Sequence, residues 1–268
     1  MRPIRVAAQL HPQHGDYPGL RTAVLAADRL GYDIAYTWDH FFPLYGEPDG
    51  PHLECWTLLA AWAEATDRIE LGPLVSCAAY RNPDLIADMA RTIDRIAAGR
   101  FLLGLGSGWF ERDFAEYGYA FGSAGSRLRT LEAALPRIAA RLDRLRPPPV
   151  RRVPLLIAGS GVRFTLRLVA EHADSWHAGF PDRPAELEPT VAALRRWCAT
   201  VGRDPADIEW GVGVEPEDLD RFLAEDAETY LAMGFSQFTL GFNGPGWDVA
   251  AGAAWLTWRD GCNRQRRM

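Results

Sequence analysis

Eight times along the chain, a short run poor in charge gives way to a longer stretch whose apolar residues recur at helical spacing. Alternation of this kind dictates parallel strand pairing, because each strand can rejoin the sheet only through a crossover helix. Strands are expected at Ile4–Leu10, Ile34–Trp38, Ile69–Ser76, Phe101–Leu105, Leu155–Ala158, Ser175–Ala178, Ile208–Val214 and Phe235–Leu240. The intervening helices are expected at Tyr17–Gly31, Glu54–Thr66, Pro83–Ala97, Arg127–Arg146, Val162–Glu171, Ala185–Val201, Pro216–Met233 and Trp247–Arg264. Strands with so little charge fit burial on both faces. Eight units in about 250 residues suit a closed (β/α)8 TIM barrel better than an open doubly wound sheet. Pro147, Pro148 and Pro149 end the long fourth helix, but four units lie on either side of them. Two half-barrels closing on each other account for that, so one catalytic domain over residues 1–268 is expected.

Composition narrows the chemistry. All 29 basic residues are arginine. A chain without lysine cannot be a Schiff-base aldolase, a pyridoxal phosphate enzyme with an internal aldimine or a P-loop ATPase. The net charge of −6 argues against a nucleic-acid binder; the tail arginines Arg264, Arg266 and Arg267 read as a solvated chain end. No apolar run approaches the roughly 18 residues that span a bilayer, and a cytoplasmic protein is expected. Cys55, Cys77, Cys198 and Cys262 form no CxxC pair, so reduced thiols are the plainer reading.

In a barrel of this kind, function is expected where strands end and loops begin. The first strand ends at Gln9, His11 and His14, the second at Asp39 and His40, and the third at Ser76 and Cys77. The fourth runs into Gly106-Ser107-Gly108-Trp109, the fifth into Gly159-Ser160-Gly161, and the sixth ends at Trp176 and His177. Asp39-His40 suits a general base, an imidazole beside a carboxylate, although a capping Asp next to a packing His would look the same. Its strand-end position tips the balance toward chemistry. The H-P-Q-H of His11 and His14 is not the H-x-H of metal-dependent barrel hydrolases, and no carboxylate set accompanies it, so no metal site is expected. Gly104, Gly106 and Gly108 give GxGxG with Trp109 where a dinucleotide fingerprint needs its third glycine, and that fingerprint fails. Close approach of the backbone to a ligand and a plain tight turn both remain open. Gly159-Ser160-Gly161 could aim amides at a phosphate ahead of a helix, or could be a flexible turn.

Several segments taken in order resemble the bacterial luciferase-like flavin and deazaflavin oxidoreductases. They are Tyr36-Thr37-Trp38-Asp39-His40-Phe41, Glu54-Cys55-Trp56-Thr57-Leu58-Leu59-Ala60-Ala61 and Thr66-Asp67-Arg68-Ile69. Tyr80-Arg81-Asn82-Pro83, the stretch Gly99 to Trp109, and Ala173-Asp174-Ser175-Trp176 complete the set. The resemblance runs from Gln9 to about His177. It implies a (β/α)8 barrel that uses coenzyme F420 or, alternatively, FMN. Segments like W-D-H and G-S-G-W are more similar to those of the deazaflavin users. The resemblance further implies that Asp39 and His40 flank the coenzyme ring, with His40 moving a proton. Leu74, Val75 and Ser76 match the strand end that carries a non-prolyl cis peptide behind the ring. Gly106, Ser107 and Gly108 would line the coenzyme, and Gly159, Ser160 and Gly161 would hold its phosphate. His11, Trp109 and His177 would face a small organic substrate. An FMN monooxygenase fed by a partner reductase is the runner-up; a non-catalytic flavin or deazaflavin binder and a metal-dependent barrel lyase or hydrolase are the rivals from other classes. A homodimer is expected. Relatives usually insert a loop near the active site between the long helix and the fifth strand, where this chain has only Leu145 to Val153. That shortening bears on substrate and pocket closure.

Overall fold

The computed structural model describes residues 2–266, so Arg267 of the tail lies outside the described residues. The strands are β1 (Arg5–Leu10), β2 (Ile34–Thr37), β3 (Glu70–Pro73), β4 (Ser76–Cys77), β5 (Leu103–Gly106), β6 (Leu155–Ala158), β7 (Ser175–His177), β8 (Glu209–Val214) and β9 (Gln237–Phe242). All pair in parallel in one sheet with the order β3-β2-β1-β9-β8-β7-β6-β5-β4. The two ends of that order are halves of one expected strand, divided at a cis Leu74–Val75 peptide. Leu71 of β3 bridges to Phe101 just ahead of β5, and the Leu102 N–H donates to the Leu71 carbonyl at 2.9 Å. The sheet thus curls round to meet itself, and the eight expected units fill eight barrel positions.

Helices α1 (Tyr17–Leu30), α2 (Cys55–Ala65), α3 (Pro83–Ile96), α4 (Glu111–Glu116), α5 (Ala124–Arg144), α6 (Thr165–His172), α7 (Glu188–Val201), α8 (Leu219–Glu225), α9 (Ala227–Met233) and α10 (Ala253–Gln265) surround the sheet. Local chemistry sets several of their ends. Asp16 caps α1 by accepting from the Gly19 amide, and Gly31 stops it at φ 94°. Asn82 caps α3 ahead of Pro83, whose missing N–H does no harm in a first turn. Two expectations are corrected. The helix expected over Pro216–Met233 breaks into a 3-10 turn, α8 and α9, and the short α4 was not foreseen. Among the described residues no helix is long and apolar enough to cross a membrane.

Period-two alternation sends one face of each strand toward the helices and the other into the barrel. The interior holds Ala7, Ile34, Tyr36, Leu102 and Leu156. Near its N-terminal end Arg5 pairs with Glu70 and Glu209. The Leu145–Val153 connection lies at this same end: Arg91 and Arg95 of α3 donate to the Pro147 and Pro148 carbonyls, and the Val150 N–H donates to Asp94. It runs far from the C-terminal loops, and its shortness therefore leaves the pocket mouth untouched.

The glycines of β5 answer to barrel closure. A Cβ on Gly104 would stand 2.0 Å from the Pro73 carbonyl oxygen, and one on Gly106 would stand 2.7 Å from Val75 Cγ2. The GxGxG pattern lets β5 pass tightly against the broken third strand. Gly104→Ala should therefore cost at least about 3 kcal/mol, because backbone cannot rotate out of the way. Gly261→Ala, in α10 with open space around its Cβ, should add about 0.5–1 kcal/mol. Urea unfolding of both variants checks the contrast.

Candidate active site

A cavity of about 520 Å³ opens at the C-terminal ends of the strands. Its wall is drawn from the ends of β1 (Gln9, His11), β2 (Trp38, Asp39, His40), β5 (Gly106 to Trp109), β6 (Ala158 to Ser160) and β7 (His177 to Phe180), with Leu74 and Val75 between β3 and β4. Of the residues singled out above, His11, Asp39, His40, Leu74, Val75, Gly106, Ser107, Gly108, Trp109, Gly159, Ser160 and His177 line it. Ser76 and Gly161 do not. Ser76 is buried behind the wall, donating to Asp39 at 2.6 Å and accepting from Trp56 Nε1 at 3.1 Å. Gly161 lies exposed on the turn outside. Trp176 is not a pocket residue: its ring packs outward on Trp210 and Phe235 while its Nε1 holds the Gly159 carbonyl at 2.9 Å.

Asp39 and His40 are adjacent in sequence but serve different networks, since neighbouring side chains on an extended segment face opposite ways. The buried Asp39 carboxylate accepts both Arg81 nitrogens, at 2.6 and 3.0 Å, and the Cys77 amide at 3.3 Å. Arg81 also donates to Glu54, the N-cap of α2, at 2.8 Å. The partner of His40 is Asp113 of α4: its Oδ2 lies 2.6 Å from His40 Nδ1. Asp113 is fully buried and also accepts from the Phe41 amide and the Tyr80 hydroxyl, each at 3.0 Å. A carboxylate only accepts, so Nδ1 carries the hydrogen and Nε2 is left for proton exchange. Asp113 is not legible in the sequence, because a six-residue helix after a glycine turn has too little periodicity to read. Tyr80 and Arg81 were visible as Y-R-N-P, without a role.

Three other histidines are held neutral by burial. His11 stacks on Trp38 at 4.2 Å with Nδ1 2.8 Å from Asn243 Oδ1, and its pKa is lowered to about 4. Desolvation, helped by the nearby His40, lowers His52 to about 4; its Nε2 accepts from Trp38 Nε1 at 3.0 Å. Burial alone pushes His177 down to about 3. His14 lies away from this group: its Nε2 meets the Tyr45 carbonyl at 2.7 Å and its ring wedges between Gly46 and Gly50. Among the described residues no three His, Cys, Asp or Glu side chains gather to hold a metal ion. Burial raises the Cys77 thiol to about 12, so this wall cysteine is inert. Phe41 and Phe42 stay out of the wall and pack on Tyr117.

The model of the family described as luciferase-like monooxygenase matches residues 1–216. The chain belongs to the luciferase-like monooxygenase family. A relative within it, 4-hydroxyprotoasukamycin monooxygenase of Streptomyces nodosus subsp. asukaensis, is 30% identical over 253 residues, covering 82% of this chain and 66% of its own. The chain thus spans a little under two-thirds of that relative's length. Two solved structures share the fold. An F420-dependent secondary alcohol dehydrogenase in complex with an F420-acetone adduct superposes with a TM-score of 0.81 at 15% identity, over 94% of this chain and 98% of its own. Riboflavin lyase with modified FMN and riboflavin superposes with a TM-score of 0.76 at 13% identity, over 99% of this chain and 92% of its own.

The neutral histidines of this luciferase-like barrel set its acid stability. Unfolded, each would bind a proton near pH 6.5, whereas folded, His11, His52 and His177 resist until about pH 4 or below. The unfolded state then binds more protons, so the stability they contribute is complete above about pH 6.5 and is lost as pH falls toward 4. The melting temperature should decline between pH 6.5 and 5, above the range of ordinary carboxylates. The decline should be shallower in His177→Gln.

Proposed function

We propose that this chain is an F420-dependent oxidoreductase that passes hydride between the deazaflavin and a small organic substrate, with His40 as the proton donor or acceptor. The observation that carries the proposal is the His40–Asp113 pair at the cavity wall, with Nε2 left to exchange a proton. The wall also fits a planar ring. Leu74, Val75 and Gly106 make an apolar face, and the space a Cβ on Gly106 would take is filled by Val75 at 2.7 Å. A cavity of about 520 Å³ is in the range of cofactor sites. When bound, the deazaflavin supplies hydride chemistry to the substrate carbon. The residues of this chain do the rest. His40 Nε2 takes the hydroxyl proton of an alcohol undergoing oxidation, or gives one to a carbonyl undergoing reduction. Asp113 holds the Nδ1–H and stabilises the imidazolium that forms. Trp109, edge-on to His40 at 5.6 Å, and Tyr45 shield the mouth from water. The Gly159–Gly161 turn, ahead of α6 and followed by the exposed Arg163, suits a phosphate on a tail leaving the cavity.

A second reading is an FMN monooxygenase served by a partner reductase. It is favoured by the description of the matching family and by the 30% identical monooxygenase. Fluorescence titration separates the two: tighter binding of F420 than of FMN is expected, and purification with tightly held FMN and no response to F420 would favour the second.

His40→Ala should lower turnover by about a hundred- to ten-thousandfold, the usual range for a general acid–base group. The coenzyme dissociation constant should change little, whereas the melting temperature should fall, because the buried Asp113 loses one of its three hydrogen-bond partners. Asp113→Asn should lower turnover in the same direction, because an amide can present its N–H to Nδ1 and reverse the tautomer. Single-turnover hydride transfer in a coenzyme-saturated, stable His40→Ala protein at a near-normal rate would remove His40 from the chemistry.

A further inference from the structure

The inner face of the barrel is bare of side chains on one side. Gly213 of β8 pairs in register with Thr239 of β9, and Thr239 pairs with Ala7 of β1, which lies in the barrel interior. Register partners share a face, so Gly213 points inward too. Gly211 and Gly241, opposite the cavity residues His177 and Gln9, add two more inward glycines. The space over Gly213 is filled by a ring from the loop after β7. A Cβ on Gly213 would stand 2.3 Å from both Cδ1 and Cε1 of Phe180 and 2.5 Å from its Cγ. Gly213 sits inside a regular strand, so room for that ring, not backbone conformation, is what requires the glycine.

The loop is built to put the ring there. The Gly213 amide donates to the Gly179 carbonyl at 2.8 Å, and Gly179 turns the chain at φ 102°. Phe180 then folds back over β8, 5.6 Å from the His177 ring, where it lines the cavity and is 36% exposed. Its place in the barrel gives it consequence. Counted round the closed sheet, β8 is the fourth strand from the Leu74–Val75 break in either direction. Phe180 and the Leu74–Val75 wall therefore stand on opposite sides of the barrel mouth, and both line the same cavity. Whatever is seated on that wall must fit in the space that Phe180 leaves.

We infer that Phe180 is a specificity-determining residue that sets the size limit of the substrate, admitting compact alcohols and ketones and excluding bulky polycyclic ones. The naming of alcohols and ketones rests on the function proposed above; the size limit rests on the opposed walls.

The test compares the full chain with Phe180→Ala, and with Phe180→Ala combined with Gly213→Val, in which a strand side chain refills the space. The probes are cyclohexanone, a single ring, and 2-adamantanone, a cage. Calorimetric titration gives the two dissociation constants without coenzyme, and turnover with reduced F420 gives the two values of kcat/KM. Phe180→Ala should shift the ratio between the ketones toward 2-adamantanone by about tenfold to a hundredfold, the usual effect of resizing an apolar pocket. Gly213→Val in the same chain should bring the ratio most of the way back. A packing role alone would lower the melting temperature and leave the ratio where it was. The proposal is overturned if Phe180→Ala gains nothing in binding 2-adamantanone relative to cyclohexanone, or binds neither. A gain that Gly213→Val does not reverse also overturns it. Phe180→Leu carries the same comparison if Phe180→Ala does not fold. If F420 neither binds nor turns over either ketone, the function proposed above fails, and the binding ratio still judges Phe180.

Discussion

The geometry of this barrel mouth depends on one buried ion pair. Asp39 cannot sit charged in the barrel wall without compensation, and Arg81 meets it with two parallel hydrogen bonds. The same guanidinium reaches Glu54, whose carboxylate also accepts the Trp56 and Thr57 amides at the start of α2. Ser76 and the Cys77 amide close the circle from β4. The end of β2, the start of β4, the cap of α2 and the approach to α3 are thereby joined at a single charge centre. Removing either partner of such a pair typically costs about 3–5 kcal/mol, because the other is left buried and unpaired. Here the consequence would be spatial as well: the clamp fixes the backbone that presents His40 and the segment Leu74–Val75.

That arrangement explains which parts of the molecule were legible in the sequence. Strand and helix alternation is written in periodicity, and Leu155–Ala158 falls where expected, with the other strands displaced by a residue or two at their ends. The break in the third strand is not written that way. Pro73 lacks an amide hydrogen with which to continue the ladder, and pairing resumes at Ser76. Gly104 and Gly106 are visible as glycines, but the carbonyl and the valine that require them lie on another strand. Asp39-His40 was legible as a place and misread as a pair. Adjacency in sequence suggested that one residue tunes the other, whereas the pleat sends them to Arg81 and Asp113, respectively 42 and 73 residues away. Long-range pairings of this kind leave no trace in a single chain's pattern.

The histidines around the cavity show how one residue type is given different tasks. His11, His52 and His177 are desolvated and meet neutral partners, so none of them gains a proton at physiological pH. His40 alone among these four rests on a carboxylate. A charge on the His40 ring is therefore compensated where a charge on its neighbours is not. The proposed role of His40 in proton transfer rests on that difference rather than on its position at a strand end, which His11 and His177 share.

Closure of the mouth follows from the same local logic. The segment after β2 is tied down from two sides. Gln13 and His14, in the loop after β1, hold Leu44 and Tyr45, while Arg112 of α4 stacks over Phe42 at 4.0 Å and donates to the Pro48 carbonyl at 2.6 Å. Tyr45 then reaches inward to His11 and Asn243. The helix that supplies Asp113 to His40 thus also anchors the strap that covers the cavity. A disturbance of α4 would reach the His40–Asp113 pair and the cover together. The connection at Leu145–Val153, at the other end of the barrel, has no part in either. The length of that connection and the architecture of the active-site mouth are therefore free to vary independently in a fold of this kind, because opposite ends of the strands carry them.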